Sequence, residues 1–348
     1  MSFANASVLV TGGAGFVGSN LVRRLLADGV ARVHVVDNLL SAERSNVPDD
    51  PRIRFTADSI AADAVLESLE DDYDFVFHLS TFHGNQNSIH DPLADYENNQ
   101  LTTIKLFNRL HPFRRLQRVV YAGAGCAVAD KTFSEAHATP EDAPISLEMD
   151  SPYSISKIMG EFYAVYYFNQ HGLPIVRARF QNIYGPGEIL GAGRWRGTPA
   201  TIWRNVTPTF IFKALQGQPL PVDNGGVATR DFIYVDDIVE GLLRCANAGA
   251  AGEVYNLASG QETTILELAT LINELTGNAA PLDFRPQRTW DRSGKRFGST
   301  EKAQRELGFH TQVALRDGLA RTITWTRDAM PIIERAIQKH ATHMAPTG

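Results

Sequence analysis

The first third of the chain alternates two hydrophobic rhythms. Short, nearly continuous apolar runs recur at SVLVTGG (7–13), ARVHVVDN (31–38), RIRFTAD (52–58), DFVFHLS (74–80) and QRVVYAG (117–123). Runs that are apolar on both alternating faces belong to strands covered on both sides. Between them, FVGSNLVRRLLADG, AADAVLESLED and PLADYENNQLTTIKLFNRL space their apolar residues at helical intervals. Strand–helix alternation of this kind predicts an α/β, Rossmann-type doubly wound parallel sheet. A longer helix is expected over 151–172, SPYSISKIMGEFYAVYYFNQHG, stopped by Gly172, and a sixth strand over 174–185, PIVRARFQNIYG.

The rhythm then breaks. Residues 185–204, GPGEILGAGRWRGTPATIWR, have no period and are rich in Gly and Arg. Loops this long inside a compact fold are functional or mobile. Smaller elements follow in VTPTFIFKALQG, RDFIYVDD, TILELATLINELTG and STEKAQRELGF. The expected division is a Rossmann domain over 1–180, with some later segments returning to it, and a smaller C-terminal α/β lobe over 181–340. The final HATHMAPTG reads as a frayed end.

Composition narrows the function. The 348 residues are 43% hydrophobic and 21% charged, with a net charge of −6 and no basic run. That argues against nucleic acid or an anionic membrane as partner, although a few arginines suffice for an anionic small molecule. No apolar stretch approaches the ~18 residues of a membrane span. MSFANASVLVTGGAGF lacks the basic start and apolar core of a signal peptide. Two cysteines, Cys126 and Cys245, make no disulfide framework and suit a reducing compartment, so a cytoplasmic location is expected. The ten histidines show no ligand spacing, and no metal site is expected.

Two motifs carry chemistry. TGGAGFVGSN (11–20) joins the first strand to the first helix, with Gly12, Gly15 and Gly18 leaving backbone open to a pyrophosphate at a helix N-terminus. Asp37, ending the second strand, can bond the ribose hydroxyls and would repel a 2′-phosphate, which favours NAD. Tyr153 and Lys157 stand four apart on the long helix and share a face. A lysine ammonium there stabilises a phenolate, which can take a proton from an alcohol.

With these motifs in place the chain resembles the extended short-chain dehydrogenase/reductases, the NAD-dependent nucleotide-sugar epimerases and dehydratases. The resemblance runs nearly end to end: TGGAGFVG, VVDN, HLS (78–80), ENNQLTT (97–103), Tyr153-x-x-x-Lys157, ARFQNIYGPG (178–187), ATRDFIYVDD (228–237), YNLASG (255–260), RTWD (288–291) and STEKAQRELGF. It is nearest to sugar-nucleotide epimerases of bacterial O-antigen clusters. The resemblance implies that the 181–340 lobe binds the nucleotide sugar. It implies cofactor contacts from Gly12, Gly15, Phe16, Val17, Gly18, Asp37 and Asn38. Asp58, Ser59, Leu79 and Ser80 would line the adenosine side, and Asn99, Tyr153 and Lys157 the nicotinamide side. Asn182 would meet the sugar or its phosphates, and Arg230 and Arg288 the pyrophosphate, a role that suits guanidinium forks. A salt bridge to Asp231 or Asp236 is the plainer alternative for Arg230. The resemblance also implies a homodimer formed by the helices of 92–110 and 152–171.

One stretch departs from the family. Where its members end the strand before the tyrosine helix in a serine-rich run, this chain reads YAGAGCAVAD (121–130). By that alignment Ala124 replaces the hydroxyl that bonds the sugar 4-hydroxyl. Gly125 and Cys126 replace the acidic pair of the dehydratases. Cys126 coincides with the acid/base cysteine of GDP-mannose 3,5-epimerases, although a lone cysteine is also a common packing residue. His83 and a residue of the 188–196 loop, such as Arg194, are the candidates for a second acid/base, and GRWRG suggests an extra anion on the sugar.

The function expected is an NAD-dependent epimerase of a UDP-hexose or UDP-hexuronate for a surface polysaccharide. It would act by transient C4 oxidation, with inversion at C4 or C5. A dehydratase or decarboxylase, or a nucleotide-binding protein without turnover, are the alternatives.

Overall fold

The computed structural model describes residues 3–129, 132–289, 291 and 294–344. Its centre is a seven-stranded sheet built from β1 (Ser7–Thr11), β2 (Arg32–Val36), β3 (Ile53–Thr56), β4 (Phe75–His78), β5 (Arg118–Ala124), β6 (Ile175–Phe180) and β7 (Val254–Leu257). The strands lie parallel in the order β7-β6-β5-β4-β1-β2-β3. Successive side chains leave a strand on opposite faces. Val8 and Val10 accordingly enter one apolar cluster and Leu9 the other. The chain turns from β3 back to β4 beside β1, so the sheet is doubly wound. Its switch point opens a crevice at the carboxyl ends of β1 and β4.

Five helices position the site: α1 (Phe16–Ala27), α2 (Pro152–His171), α3 (Val206–Leu215), α4 (Val235–Ala248) and α5 (Leu315–Gln338). Helix α2 begins where the Ser151 side chain accepts the Ser154 N–H and Pro152 presets the first turn; it ends at Gly172 in a left-handed cap. Its bounds match the helix read from the sequence within one residue.

Other expectations change. The helix expected over 92–110 is interrupted by a π-helical stretch, Tyr96–Leu101. There the side chain of Asn99 is drawn out to Thr81 and Phe82, and π-bulges of this kind accompany functional sites. The helix expected over AADAVLESLED shrinks to Asp63–Glu67. The expected sixth strand divides at Gln181: β6 ends at Phe180, and Asn182–Tyr184 pair with Phe232–Tyr234 outside the main sheet. YNLASG supplies most of β7, the seventh strand beside β6, so this late segment belongs to the central sheet.

Helix α5 has no counterpart in the sequence reading. Threonines and Pro331 obscure its period; in the helix, Thr322 and Thr326 donate back to the carbonyls of Gly318 and Thr322. Of the segment expected to fray, Ala341–Met344 is helical and the last four residues lie outside the described residues. His340 is buried with Nε2 2.9 Å from the Gly191 carbonyl, and His343 stacks on Trp195 at 4.9 Å. Among the described residues no helix is long and apolar enough to cross a membrane.

Candidate active site

A cavity of about 420 Å3 occupies the crevice. One end is built of backbone. Gly12 has φ +73°, and a Cβ on it would stand 2.7 Å from the Ser80 nitrogen. A Cβ on Gly18 would stand 2.2 Å from the Gly12 carbonyl oxygen. These two glycines, with Gly15, Phe16 and Val17, leave the first turn of α1 open to the cavity. Asp37 lies in the same wall, accepting the Ala14 N–H at 3.0 Å and the Leu39 N–H at 2.9 Å. Burial pushes its carboxyl above the ordinary range, and the loop amides pull the other way. Each carboxylate oxygen keeps acceptor capacity beyond these bonds. A cradle that any Cβ would fill, beside an acceptor-only group, fits a dinucleotide whose ribose carries hydroxyls rather than a phosphate. Asn38, Asp58, Ser59, Leu79 and Ser80 line this end as well.

The other end is built of side chains. Tyr153 and Lys157 reach the cavity from successive turns of α2. Lys157 Nζ donates to the Ala122 carbonyl at 3.0 Å and stands 5.7 Å from the Tyr153 ring centre. Burial lowers its pKa to about 8, while Asp95 and Cys126 oppose the shift. Burial, then the neighbouring Cys126 and Asp95, pushes the Tyr153 phenol well up; a hydrogen bond with Thr81 works in the opposite direction.

Strand β5 ends at Ala124, and Gly125–Ala127 turn in a short 3-10 helix. Cys126 is half-buried, lines the cavity and packs in a small cluster with Tyr153, Ala124 and Ile158. Cys245 is wholly buried in α4, where burial alone pushes its thiol up.

His83 also reaches the cavity, with its ring edge-on to Tyr153 at 5.8 Å. Its Nε2 lies 3.1 Å from Asn205 Oδ1, and Asn205 Nδ2 donates to Glu188 Oε1. Asn205 thus turns its amide nitrogen to Glu188 and its oxygen to the ring. His83 therefore carries its proton on Nε2. Burial lowers His83 to about 4 and raises Glu188 to about 7.

The remaining expected residues divide. Asn182, Arg230 and Arg288 line the cavity. Arg230 Nη1 donates to the carbonyls of Thr229 at 2.6 Å and Gly294 at 2.9 Å, and burial lowers its pKa to about 9. Arg288 Nε pairs with Asp223 at 2.6 Å. The Asp231 carboxylate accepts from Ser259, Gly260 and Gly298. Arg194 is not in the cavity wall. Gly193, at φ +83°, packs on the Leu40 carbonyl and Arg194 N–H bonds to it, so the Arg194 side chain is exposed along the Asn38 backbone. Asn99 is buried behind the wall, its amide engaged by Thr81, Phe82 and Asp95.

The sequence reading passed over Thr81, Arg204 and Asn205 and reached Glu188 only as a member of the 188–196 loop; all four line the cavity. Arg204 fixes the long loop by donating to the Ser41 carbonyl at 3.0 Å and the Ala192 carbonyl at 2.9 Å. Thr81 and His83 adjoin in HLSTFHGN, and that adjacency at a strand end was the available signal for Thr81.

A doubly wound sheet whose cavity runs from a glycine cradle to a tyrosine–lysine pair defines an extended short-chain dehydrogenase/reductase. The chain belongs to the NAD dependent epimerase/dehydratase family, whose model matches residues 8–258. It is 32% identical over 328 residues to UDP-glucose 4-epimerase of Mycolicibacterium smegmatis, covering 92% of this chain and 98% of that protein. It is 31% identical over 329 residues to UDP-glucuronic acid decarboxylase 1 of Xenopus tropicalis, covering 92% and 72%. The crystal structure of the Bordetella bronchiseptica enzyme WbmF in complex with NAD+ and UDP superposes with a TM-score of 0.88 at 62% identity over 98% of each chain. The family is NAD-dependent, and the fold and cofactor expected from the sequence are those of these relatives.

Proposed function

We propose that the protein is a nucleotide-sugar epimerase that oxidises its substrate transiently at C4, with a UDP-hexose or UDP-hexuronate as substrate. The observation that carries the reading is the grouping of Tyr153, Lys157, Cys126 and His83 in one cavity with Arg230 and Arg288. The arginines suit a pyrophosphate, which places the sugar towards Tyr153. NAD, held by the cradle of Gly12, Gly15 and Gly18, with Asp37, Asn38, Asp58, Ser59, Leu79 and Ser80 along it, supplies hydride acceptance and return at C4. Tyr153 takes the 4-hydroxyl proton, and Lys157 offsets the phenolate charge. Asn99 supports this end from behind the wall.

The 4-ketone acidifies the C5 hydrogen. Cys126 is the group that removes it, and His83, neutral and with its ring proton held by Asn205, serves the opposite face only after taking a proton on Nδ1; exposed Arg194 has no part. Gly125 and Cys126 offer no carboxylate for elimination, which disfavours a dehydratase. The test is incubation with UDP-sugars in D2O, read by NMR and mass spectrometry. Deuterium at C5 of an epimerised product, lost in Cys126→Ser, is expected. A second reading, inversion at C4, draws on the small side chains of Gly123 and Ala124, which leave room for the ketone to turn. Epimerised product without deuterium at carbon assigns that route, and loss of water or CO2 overturns both.

We further propose a homodimer: Leu93, Tyr96, Ile155, Phe162 and Tyr166 are exposed on the 92–101 segment and α2, the helices that the resemblance implicates. The 1–180 and 181–340 division is retained as a proposal, with β7 and α4 returning to the first part. A cytoplasmic site and a role in surface polysaccharide synthesis complete the reading.

A further inference from the structure

Tyr153 stands in surroundings that oppose its ionisation. It is nearly buried, and the nearest acidic groups, Cys126 and Asp95, repel a phenolate. Ala124, at the end of β5 in the same cluster, offers a methyl group and no proton. Lys157 Nζ bonds to the Ala122 carbonyl and stands 5.7 Å from the ring centre, so a donor besides Lys157 has to face the phenolate oxygen if Tyr153 is to act as a base.

The neighbouring strand supplies one. Thr81, three residues past β4, lines the cavity with Tyr153, and a hydrogen bond from its side chain draws the phenol down against the effect of burial. Its Oγ1 also donates to Asn99 Oδ1 at 3.0 Å. The orientation of Asn99 is fixed from behind, because Asn99 Nδ2 donates to Asp95 Oδ1 at 2.7 Å and a carboxylate only accepts. Asn99 Oδ1 is thereby an acceptor, shared by Thr81 and the Phe82 N–H at 2.8 Å. Asp95 is itself anchored to α2, accepting from Ser156 one residue before Lys157. The Thr81 hydroxyl hydrogen thus has two acceptors, the Asn99 carbonyl oxygen and the Tyr153 oxygen.

We propose that Thr81 is the proton-positioning residue of the Tyr153 base: its hydroxyl turns from Asn99 to the phenolate, and turns back as Tyr153 becomes a phenol. In the step it serves, the C4 hydroxyl proton moves to the Tyr153 oxygen and the C4 hydride leaves to the oxidised nicotinamide dinucleotide, forming the C4 carbonyl. Thr81 gains and loses no proton; it changes the acceptor to which it donates. Two hydrogen-bond acceptors for one donor make this a switch and not a static brace. The proposal rests on the reading that Tyr153 takes the C4 proton.

The test uses the holoenzyme and Thr81→Val, which keeps the shape and removes the hydroxyl, with Thr81→Ala as a second variant should valine not fold. The first readout is the pH titration of the Tyr153 phenolate by near-ultraviolet absorbance, taken as the difference from Tyr153→Phe. Thr81→Val is expected to raise the midpoint, and Thr81→Ser to leave it in place. The second is the single-turnover rate of NAD reduction by UDP-glucose and UDP-glucuronate. It is expected to fall about 10- to 100-fold in Thr81→Val, the size of a hydrogen bond to a charged group, with KM little changed. Ala124→Ser added to Thr81→Val, which restores a hydroxyl from the facing strand, is expected to recover part of the rate. A Thr81→Val enzyme with unaltered midpoint and rate overturns the proposal, as does Thr81→Ser behaving like Thr81→Val. NAD reduction surviving in Tyr153→Phe would instead overturn the reading beneath it.

Discussion

The two ends of the cavity are made of different materials. At the dinucleotide end the wall is backbone, exposed because Gly12 and Gly18 have no side chains. At the sugar end the wall is a set of polar side chains: Thr81, which bonds to Asn99, and the series His83, Asn205 and buried Glu188, joined by hydrogen bonds. The contrast teaches that the ends fail in opposite ways. Adding an atom damages the first, and removing one damages the second.

The largest effect is expected where the sugar end meets the chemistry. Tyr153→Phe should lower turnover of UDP-sugars by about 10²- to 10⁴-fold, the usual yield of a positioned acid–base group, while NAD still co-purifies. Retained turnover would break the assignment of chemistry to that end. Next is Gly18→Ala, whose Cβ would meet the Gly12 carbonyl oxygen at 2.2 Å. Overpacking of this kind costs about 1–3 kcal/mol, and the variant should be isolated with little bound NAD and a lowered Tm. A variant carrying full NAD would show that the backbone wall tolerates addition after all.

A smaller, pH-dependent effect sharpens the contrast. Glu188 titrates at about 7 in the folded chain against an ordinary 4.5, so between these values the native state holds a proton that the unfolded state releases. Its contribution to stability is complete below 4.5 and is lost as pH rises through about 7. His83, lowered from 6.5 to about 4, acts in the opposite sense over an overlapping range. The Glu188 part is therefore read as the difference between wild type and Glu188→Gln in denaturant unfolding. The glutamine variant should gain on wild type as pH rises from 4.5 to 7, and a constant difference would refute the buried carboxyl. The smallest effect is expected outside both walls: Arg194→Ala should change stability by no more than about 0.5 kcal/mol and leave turnover unaltered.

The same contrast explains what the sequence disclosed. A backbone wall requires glycines at fixed offsets between a strand and a helix, and Gly12, Gly15, Gly18 and Asp37 are contiguous enough to be read directly. Tyr153 and Lys157 are legible because one helical turn sets their spacing. The network of the sugar end is assembled from distant segments: Asn205 meets His83 across 122 residues and Glu188 across 17. No local period encodes such a meeting. Arg194 misled for the related reason that a loop of glycines and arginines gives no periodicity from which to tell inward from outward. Gly191 and Gly193, both at positive φ, decide that Arg194 faces out and Arg204 faces in. Helix α5 went unread because Gly318, Thr322 and Thr326 share its buried face with Leu319, Ile323 and Ile333, so that face is only partly apolar in sequence.

The late return of the chain to the central sheet has a mechanical meaning. After β6 the backbone leaves to form Asn182–Tyr184 and α3, comes back through α4 and β7, and then departs again for α5. The backbone therefore crosses between the central sheet and the segments outside it more than once, and any rotation of one against the other has to bend those crossings together. The 185–204 segment beside the cavity is held in another way, by hydrogen bonds to Leu40, Ser41 and His340.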